Sequence, residues 1–215
     1  MERTLKKALT AAAIVAATAL PAKAQSSLEL MQTREQATTR IRPNLLYRLP
    51  GGVNSHTFAE FYQGGDTYLA KTSLTKGLGE SLDARLQATH GTGFTGDAGL
   101  GLEYEIPTGE NTTAKVRALP VYMGFDGEPV DDKAVLGFYL DQKVYVPVLK
   151  DMNVVAFGEI NLGAEGGPRW SYAELHAQKT LDDFIIGLGM DLRGDGDLTP
   201  DPNVSVKLGY VFGQH

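Results

Sequence analysis

Along most of this chain, strand-length segments alternate apolar and polar side chains, and the polar face repeatedly carries glycine beside a charge. In Asp97-Ala98-Gly99-Leu100-Gly101-Leu102-Glu103-Tyr104-Glu105, one face holds Ala98, Leu100, Leu102 and Tyr104, and the other holds Gly99, Gly101, Glu103 and Glu105. The segment from Phe184 to Arg193 repeats the pattern. Successive strand side chains point to opposite faces, so each segment has one oily face and one face of glycines and charges. Glycine weakens a strand, and its use inside strands needs a steric reason. A narrow closed barrel supplies one, because inward side chains crowd one another there. On the outside of a soluble barrel, glycine would only forfeit strand propensity.

The co-segregation therefore predicts which face is inside. Gly99, Gly101, Gly137, Gly187, Gly189 and Gly209 share a face with charges and are expected to line a lumen. Leu136, Phe138, Leu140, Val144 and Val146, then Val154, Ala156, Ile160 and Leu162, then Val204, Val206, Leu208, Tyr210 and Phe212 read as an outer, lipid-facing band, with Gly158 the exception on it. The expected fold is all-β: a closed antiparallel up-and-down barrel of about ten strands, with a polar Gly-rich lumen and an apolar outer face. The strands are placed at 55–62, 67–75, 81–90, 96–106, 112–123, 133–146, 152–163, 169–178, 183–193 and 203–212, separated by turn-formers such as Pro107-Thr108-Gly109 and Asp126-Gly127-Glu128-Pro129. Such short links join antiparallel neighbours. The third, fifth, seventh and ninth links are read as longer than the fourth, sixth and eighth, a pattern that suits an even strand count with both chain ends on one side of a membrane. Pro120 removes a ladder donor and marks a bulge or strand end.

Residues 1–24 read as an export signal: Arg3, Lys6 and Lys7 precede an apolar stretch from Ala8 to Leu20, closed by Ala22-Lys23-Ala24. The apolar run is short for a membrane helix. Residues 25–54 are polar, carry Arg34, Arg40, Arg42 and Arg48, and are expected to form an N-terminal arm. Within it, Ser27 to Thr39 reads as a short helix or disordered segment, and Asn44 to Arg48 as an extra short strand. Residues 55–215 are the barrel domain. The chain has no cysteine, so an exported protein of this size must hold together without disulfides, as a hydrogen-bonded barrel does. The formal charge is −6, with neither sign in long runs. That argues against a nucleic-acid partner, which would need a concentrated basic patch.

The export signal, the dyad repeats and a last strand ending in aromatics, Val204-Ser205-Val206-Lys207-Leu208-Gly209-Tyr210-Val211-Phe212, give the chain a resemblance to the small outer-membrane β-barrel proteins, the porin-like superfamily. The resemblance covers roughly Ser55 to Phe212 and is one of pattern. It implies an outer-membrane protein that is structural or allows narrow passive diffusion, with membrane lipids, the barrel-insertion machinery and ions or small polar solutes as partners. Two other classes are weighed beside it: a secreted soluble barrel carrying a hydrophobic ligand, and a lipid-modifying outer-membrane enzyme.

The expected lumen charges are Glu60, Lys71, Asp83, Arg85, Glu103, Glu105, Lys115, Arg117, Asp141, Lys143, Glu159, Glu174, Asp191, Arg193 and Lys207. Opposite charges on paired strands would interlock across the lumen, since buried charges must be paired. The reading is that they fill a narrow barrel and set any ion preference. Glu174, His176 and Ser205 share the polar face, yet they sit on strands that are not neighbours and no nucleophile motif surrounds Ser205, so no enzyme and no cofactor are expected. Asp195, Asp197 and Asp201 have the spacing of cation-binding oxygens but lack a closing bidentate Glu, and Asp-Gly runs are ordinary turns.

Overall fold

The computed structural model describes residues 25–33, 39–62, 67–147, 150–192 and 202–212. The segment read as an export signal, Arg193, the Asp195/Asp197/Asp201 loop and the tail 213–215 lie outside them.

Strand pairing is purely antiparallel and next-neighbour, and it closes on itself. The strands are β1 (Gln25–Thr33), β2 (Thr39–Leu49), β3 (Val53–Tyr62), β4 (Tyr68–Gly77), β5 (Leu82–Gly91), β6 (Phe94–Ile106), β7 (Thr112–Gly124), β8 (Val135–Val146), β9 (Lys150–Asn161), β10 (Arg169–Leu181), β11 (Phe184–Leu192) and β12 (Pro202–Phe212). The seam pairs β1 with β12, from Ser26 opposite Phe212 to Thr33 opposite Ser205. The barrel thus has twelve strands rather than about ten. The additional two come from residues 25–49, where the sequence suggests an arm: Ser27 to Thr33 is strand, not helix, and the short strand expected at Asn44 to Arg48 runs the full length of Thr39–Leu49. The inward positions of these two strands hold Glu29, Arg40 and Arg42, which pair with Lys207, Asp191 and Glu174, far away in sequence. An inward Arg with no local partner reads as a solvated arm.

All described links at the end that carries both termini are short: 50–52, 78–81, 107–111 and 182–183. At the opposite end, β7 to β8 and β9 to β10 are joined by 125–134 and 162–168, but β5 to β6 only by Thr92-Gly93, shorter than the sequence suggests. No described helix is long and apolar enough to cross a membrane.

Apolar side chains cover the outside and charges the inside. Leu188 is 63 % exposed, Leu100 57 %, and Ile186, Val206, Leu208 and Leu136 are likewise exposed, while Glu103, Glu159, Glu174, Asp191 and Lys207 are buried. This arrangement offers no support to a barrel carrying a hydrophobic ligand in an oily interior. Aromatic rings gather near both rims. Tyr68 and Phe125 stack on either side of His90 toward the long-loop end, and Phe184, Tyr210 and Phe212 pack edge-on at the other. Such girdles mark the two interfaces of a membrane barrel.

The strand glycines face crowded lumen walls. A Cβ on Gly101 would overlap the Ala118 carbonyl oxygen, and one on Gly137 would overlap the Arg117 side chain. On the outer face, Gly158 leaves room for the Phe138 ring, 2.9 Å from where its Cβ would sit. The bulge expected at Pro120 is present: Leu100 pairs with Val121 but Leu102 with Ala118. It shifts the alternation of β7 so that Tyr122 rather than Val121 faces inward, where it is buried with Leu119 and Val135.

Overpacking a tight wall costs about 1–3 kcal/mol. Gly101→Val should therefore lower the urea midpoint of the folded barrel, followed by its heat-modifiable shift on unheated gels. Gly109→Val, in an open turn with nothing within 4 Å of its Cβ position, should leave it unchanged.

Candidate functional site

Two hubs of buried charge cross the lumen. The first is built on β2 and β10. Arg42 donates from Nε to Glu60 Oε1 at 2.8 Å and from Nη1 to Glu174 Oε2 at 2.9 Å, and its Nη2 also contacts both carboxylates. Arg40 pairs with Glu60 and Glu174, each at 3.4 Å, and with Asp191. Tyr62 donates to Glu60 Oε2 at 2.6 Å. Lys207 on β12 completes this side, 3.0 Å from Glu29 and 3.1 Å from Gln178.

The second hub is Glu159 on β9. Lys71 from β4 reaches its Oε2 at 2.7 Å, while Gln87 from β5 at 2.9 Å and Arg117 from β7 at 2.7 Å reach Oε1. Side chains from three strands, β4, β5 and β7, thus converge on one carboxylate. Beside it, Arg85 pairs with Glu103 and donates to Ser73 at 2.7 Å.

Aromatic rings sit between the hubs. The Arg42 guanidinium carbon lies 5.5 Å from the Phe58 ring centre on β3 and 5.7 Å from that of Phe157 on β9. These strands face one another across the ring of twelve, so the Phe58–Arg42–Phe157 stack bridges the lumen. Lys71 lies 4.5 Å from the Tyr172 ring centre. A cation between aromatic faces, with its donors held by carboxylates, meets the two conditions for tolerating buried charge: neutralisation and satisfied hydrogen bonds. On the long-loop side of this bridge lies a cavity of about 140 Å³, lined by Phe58, Tyr62 and Tyr172 with Glu60, Glu174 and Asp191 among its polar walls. Nearer that mouth, Lys133 from the β7 to β8 link pairs with Asp97 and sits 4.6 Å from the Tyr122 ring centre.

Of the charges singled out from sequence, Glu60, Lys71, Arg85, Glu103, Arg117, Glu159, Glu174, Asp191 and Lys207 are brought into these hubs. Glu105 and Lys115 pair at 3.1 Å in a more open position, and Lys115 also reaches Glu103 at 3.6 Å. Asp141 accepts from Asn153 at 2.9 Å and Tyr139 at 3.4 Å. Asp83 is half-buried opposite Gly77, Lys143 is exposed, and Arg193 lies outside the described residues. Glu103 stands opposite Arg117 in register, as paired strands suggest, but its ion pair is with Arg85, because Arg117 is drawn on to Glu159. Sequence reasoning missed Glu29, Arg40, Arg42 and Gln87. The two-residue spacing of Arg40 and Arg42 was the available signal.

Ser205 and His176 lie in one row, each opposite Gly189. The Ser205 hydroxyl is buried and makes no hydrogen bond to the imidazole, and Glu174 is held by two arginines. This is not the geometry of an activated serine.

No protein-family model and no curated protein matches the chain. Solved structures do match it. The KdgM porin in complex with disordered oligogalacturonate superimposes with a TM-score of 0.56 at 10 % identity, over 89 % of this chain and 99 % of that one. The NanC porin in its rhombohedral crystal form gives 0.55 at 7 %, over 86 % and 98 %. At such identities the likeness is one of fold: the chain has the fold of small outer-membrane porins.

Breaking a buried ion pair from one side costs about 3–5 kcal/mol, because the remaining charge is left uncompensated. Glu159→Met should destabilise the barrel on that scale in urea titrations in lipid vesicles, and Lys71→Met somewhat less. The double variant should cost less than the sum of the two; strict additivity would show that the pair is not coupled.

Proposed function

We propose that this protein is an integral outer-membrane β-barrel, exported by a cleaved signal peptide, and that it serves the envelope as a structural component or a narrow path for ions and small polar solutes. The observation that carries this reading is the apolar, aromatic-rimmed outer face wrapped around a lumen crossed by paired charges. The outer face suits lipid, and assembly would pass through the barrel-insertion machinery. One structural neighbour, the KdgM porin, holds oligogalacturonate, an acidic oligosaccharide. Here acids and bases interleave and neutralise one another, with Arg42, Lys71 and Arg117 all committed to carboxylates. That balance favours a path of low throughput over an anion-attracting pore. The reading is non-enzymatic, since the described residues of the lumen offer salt-bridge partners and no assembled nucleophile and base.

Two measurements test this. A spin label at Leu188 should be reached by oxygen dissolved in lipid and shielded from an aqueous quencher. The reverse would remove the membrane reading, and Leu188→Arg should cost about 2–4 kcal/mol if the site lies near mid-bilayer. Planar-bilayer recordings should show small steps or none, with Arg117→Glu altering any that occur. Large, steady conductance would overturn the filled-lumen reading.

A further inference from the structure

Among the buried charges, one trio is arranged differently from the rest. His176 Nε2 lies 3.2 Å from Glu174 Oε2 and 3.7 Å from Asp191 Oδ1, and the ligand atoms of all three lie within 4.8 Å of one another. Donor atoms bound about 2.1 Å from a tetrahedral ion stand roughly 3.4 Å apart, so the two imidazole distances bracket that spacing. Asp191 divides its carboxylate: Oδ2 faces Arg40, whereas Oδ1 is buried with no hydrogen-bond donor. An acceptor orphaned in this way costs free energy unless a cation or donor meets it.

The ring is also turned for the task. A Cβ on Gly189 would collide with His176 Nδ1, so that edge lies over the glycine, toward β12, leaving Nε2 to the two carboxylates. Beyond the glycine, in the same row, is the Ser205 hydroxyl, buried without a partner and available to accept from an Nδ1–H. A metal-bound imidazole commonly has its other nitrogen oriented by such an acceptor. Glu174 and Asp191 also line the 140 Å³ cavity on the long-loop side, which gives an ion a route in and water a place to complete the coordination.

Arg40 and Arg42 are the obvious competitors, and both have other anchors. Arg42 holds Glu60 and lies 3.8 Å from Glu29, and Arg40 also pairs with Glu60. Around the trio, Glu29, Glu60, Glu174 and Asp191 outnumber Arg40, Arg42 and Lys207 by one. We propose that Glu174, His176 and Asp191 form a three-ligand site for a divalent transition-metal ion of the zinc type, set in the lumen wall and open to the outer cavity. One imidazole and two carboxylates select such an ion over calcium, which takes oxygen ligands alone.

The site is tested on the tag-free, full barrel refolded in detergent, with cobalt(II) and then zinc(II) as probes. Cobalt should give a saturable visible absorption band at one equivalent, displaced by zinc. His176→Ala should weaken binding at least a hundredfold and Asp191→Asn at least tenfold, while His56→Ala and His90→Ala should leave it unchanged. X-ray absorption of the zinc-loaded wild type needs no variant to fold, and should show one imidazole with oxygen neighbours. No saturable band, a shell with two or more imidazoles, or binding that survives His176→Ala would each overturn the site. None of these readouts depends on conduction, so a silent channel leaves the test intact, and a conducting barrel without the band refutes this site alone.

Discussion

A charge taken out of water must meet its opposite, and in this barrel that requirement is met across the lumen as well as along the wall. Glu159 on β9 gathers Lys71, Gln87 and Arg117 from β4, β5 and β7, and Arg42 is shared between Glu60 and Glu174. Neighbouring strands could have neutralised each other locally, as Lys115 and Glu105 do. Arg85 with Glu103 and Lys207 with Glu29 are further neighbouring pairs, whereas Lys71, Arg40 and Arg42 also reach carboxylates on distant strands, and the contacts that balance charge also occupy space in the lumen.

The glycines follow from that choice. Long side chains such as Arg117 need somewhere to lie, and Gly137 beside it supplies the room, as Gly99 does for the Tyr122 ring. Phe58 and Phe157 play a complementary part by flanking Arg42 with polarisable faces that water does not occupy. Strand composition, lumen filling and the oily exterior are therefore consequences of one arrangement: charge inside, paired and padded.

The wall was legible in the sequence to the extent that its signal is local. Dyad alternation located the strands from β3 to β12, the pairing of glycine with charge told inside from outside, and Pro120 announced its bulge. Of the first two strands, only the piece of β2 from Asn44 to Arg48 was legible. Arg40 and Arg42 look solvated until Glu60 and Glu174 are placed against them, and Glu174 is 132 residues from Arg42. The same limit hid the partners within the site. Register puts Glu103 opposite Arg117, and a local rule pairs them, but the three-dimensional competition for Arg117 is won by Glu159. Likewise, His176 and Ser205 sit on strands that are not neighbours, and only the missing side chain of Gly189 lets them share a row.

Three contacts of the first hub, Arg40 with Asp191, Arg42 with Glu174 and Lys207 with Glu29, tie β1 and β2 to β10, β11 and β12 and so span the β1–β12 seam. They cannot form in any single hairpin, and loop-closure entropy must be met before they can contribute. Before closure, each hairpin carries its inner charges exposed and solvated, which keeps an otherwise oily chain wettable until it closes. At closure those charges lose water and find partners in the same event. The seam is thus held by side chains as well as by its backbone ladder, and its opening would strand several ions at once. A barrel locked in this way should close late, as a unit, and reopen slowly.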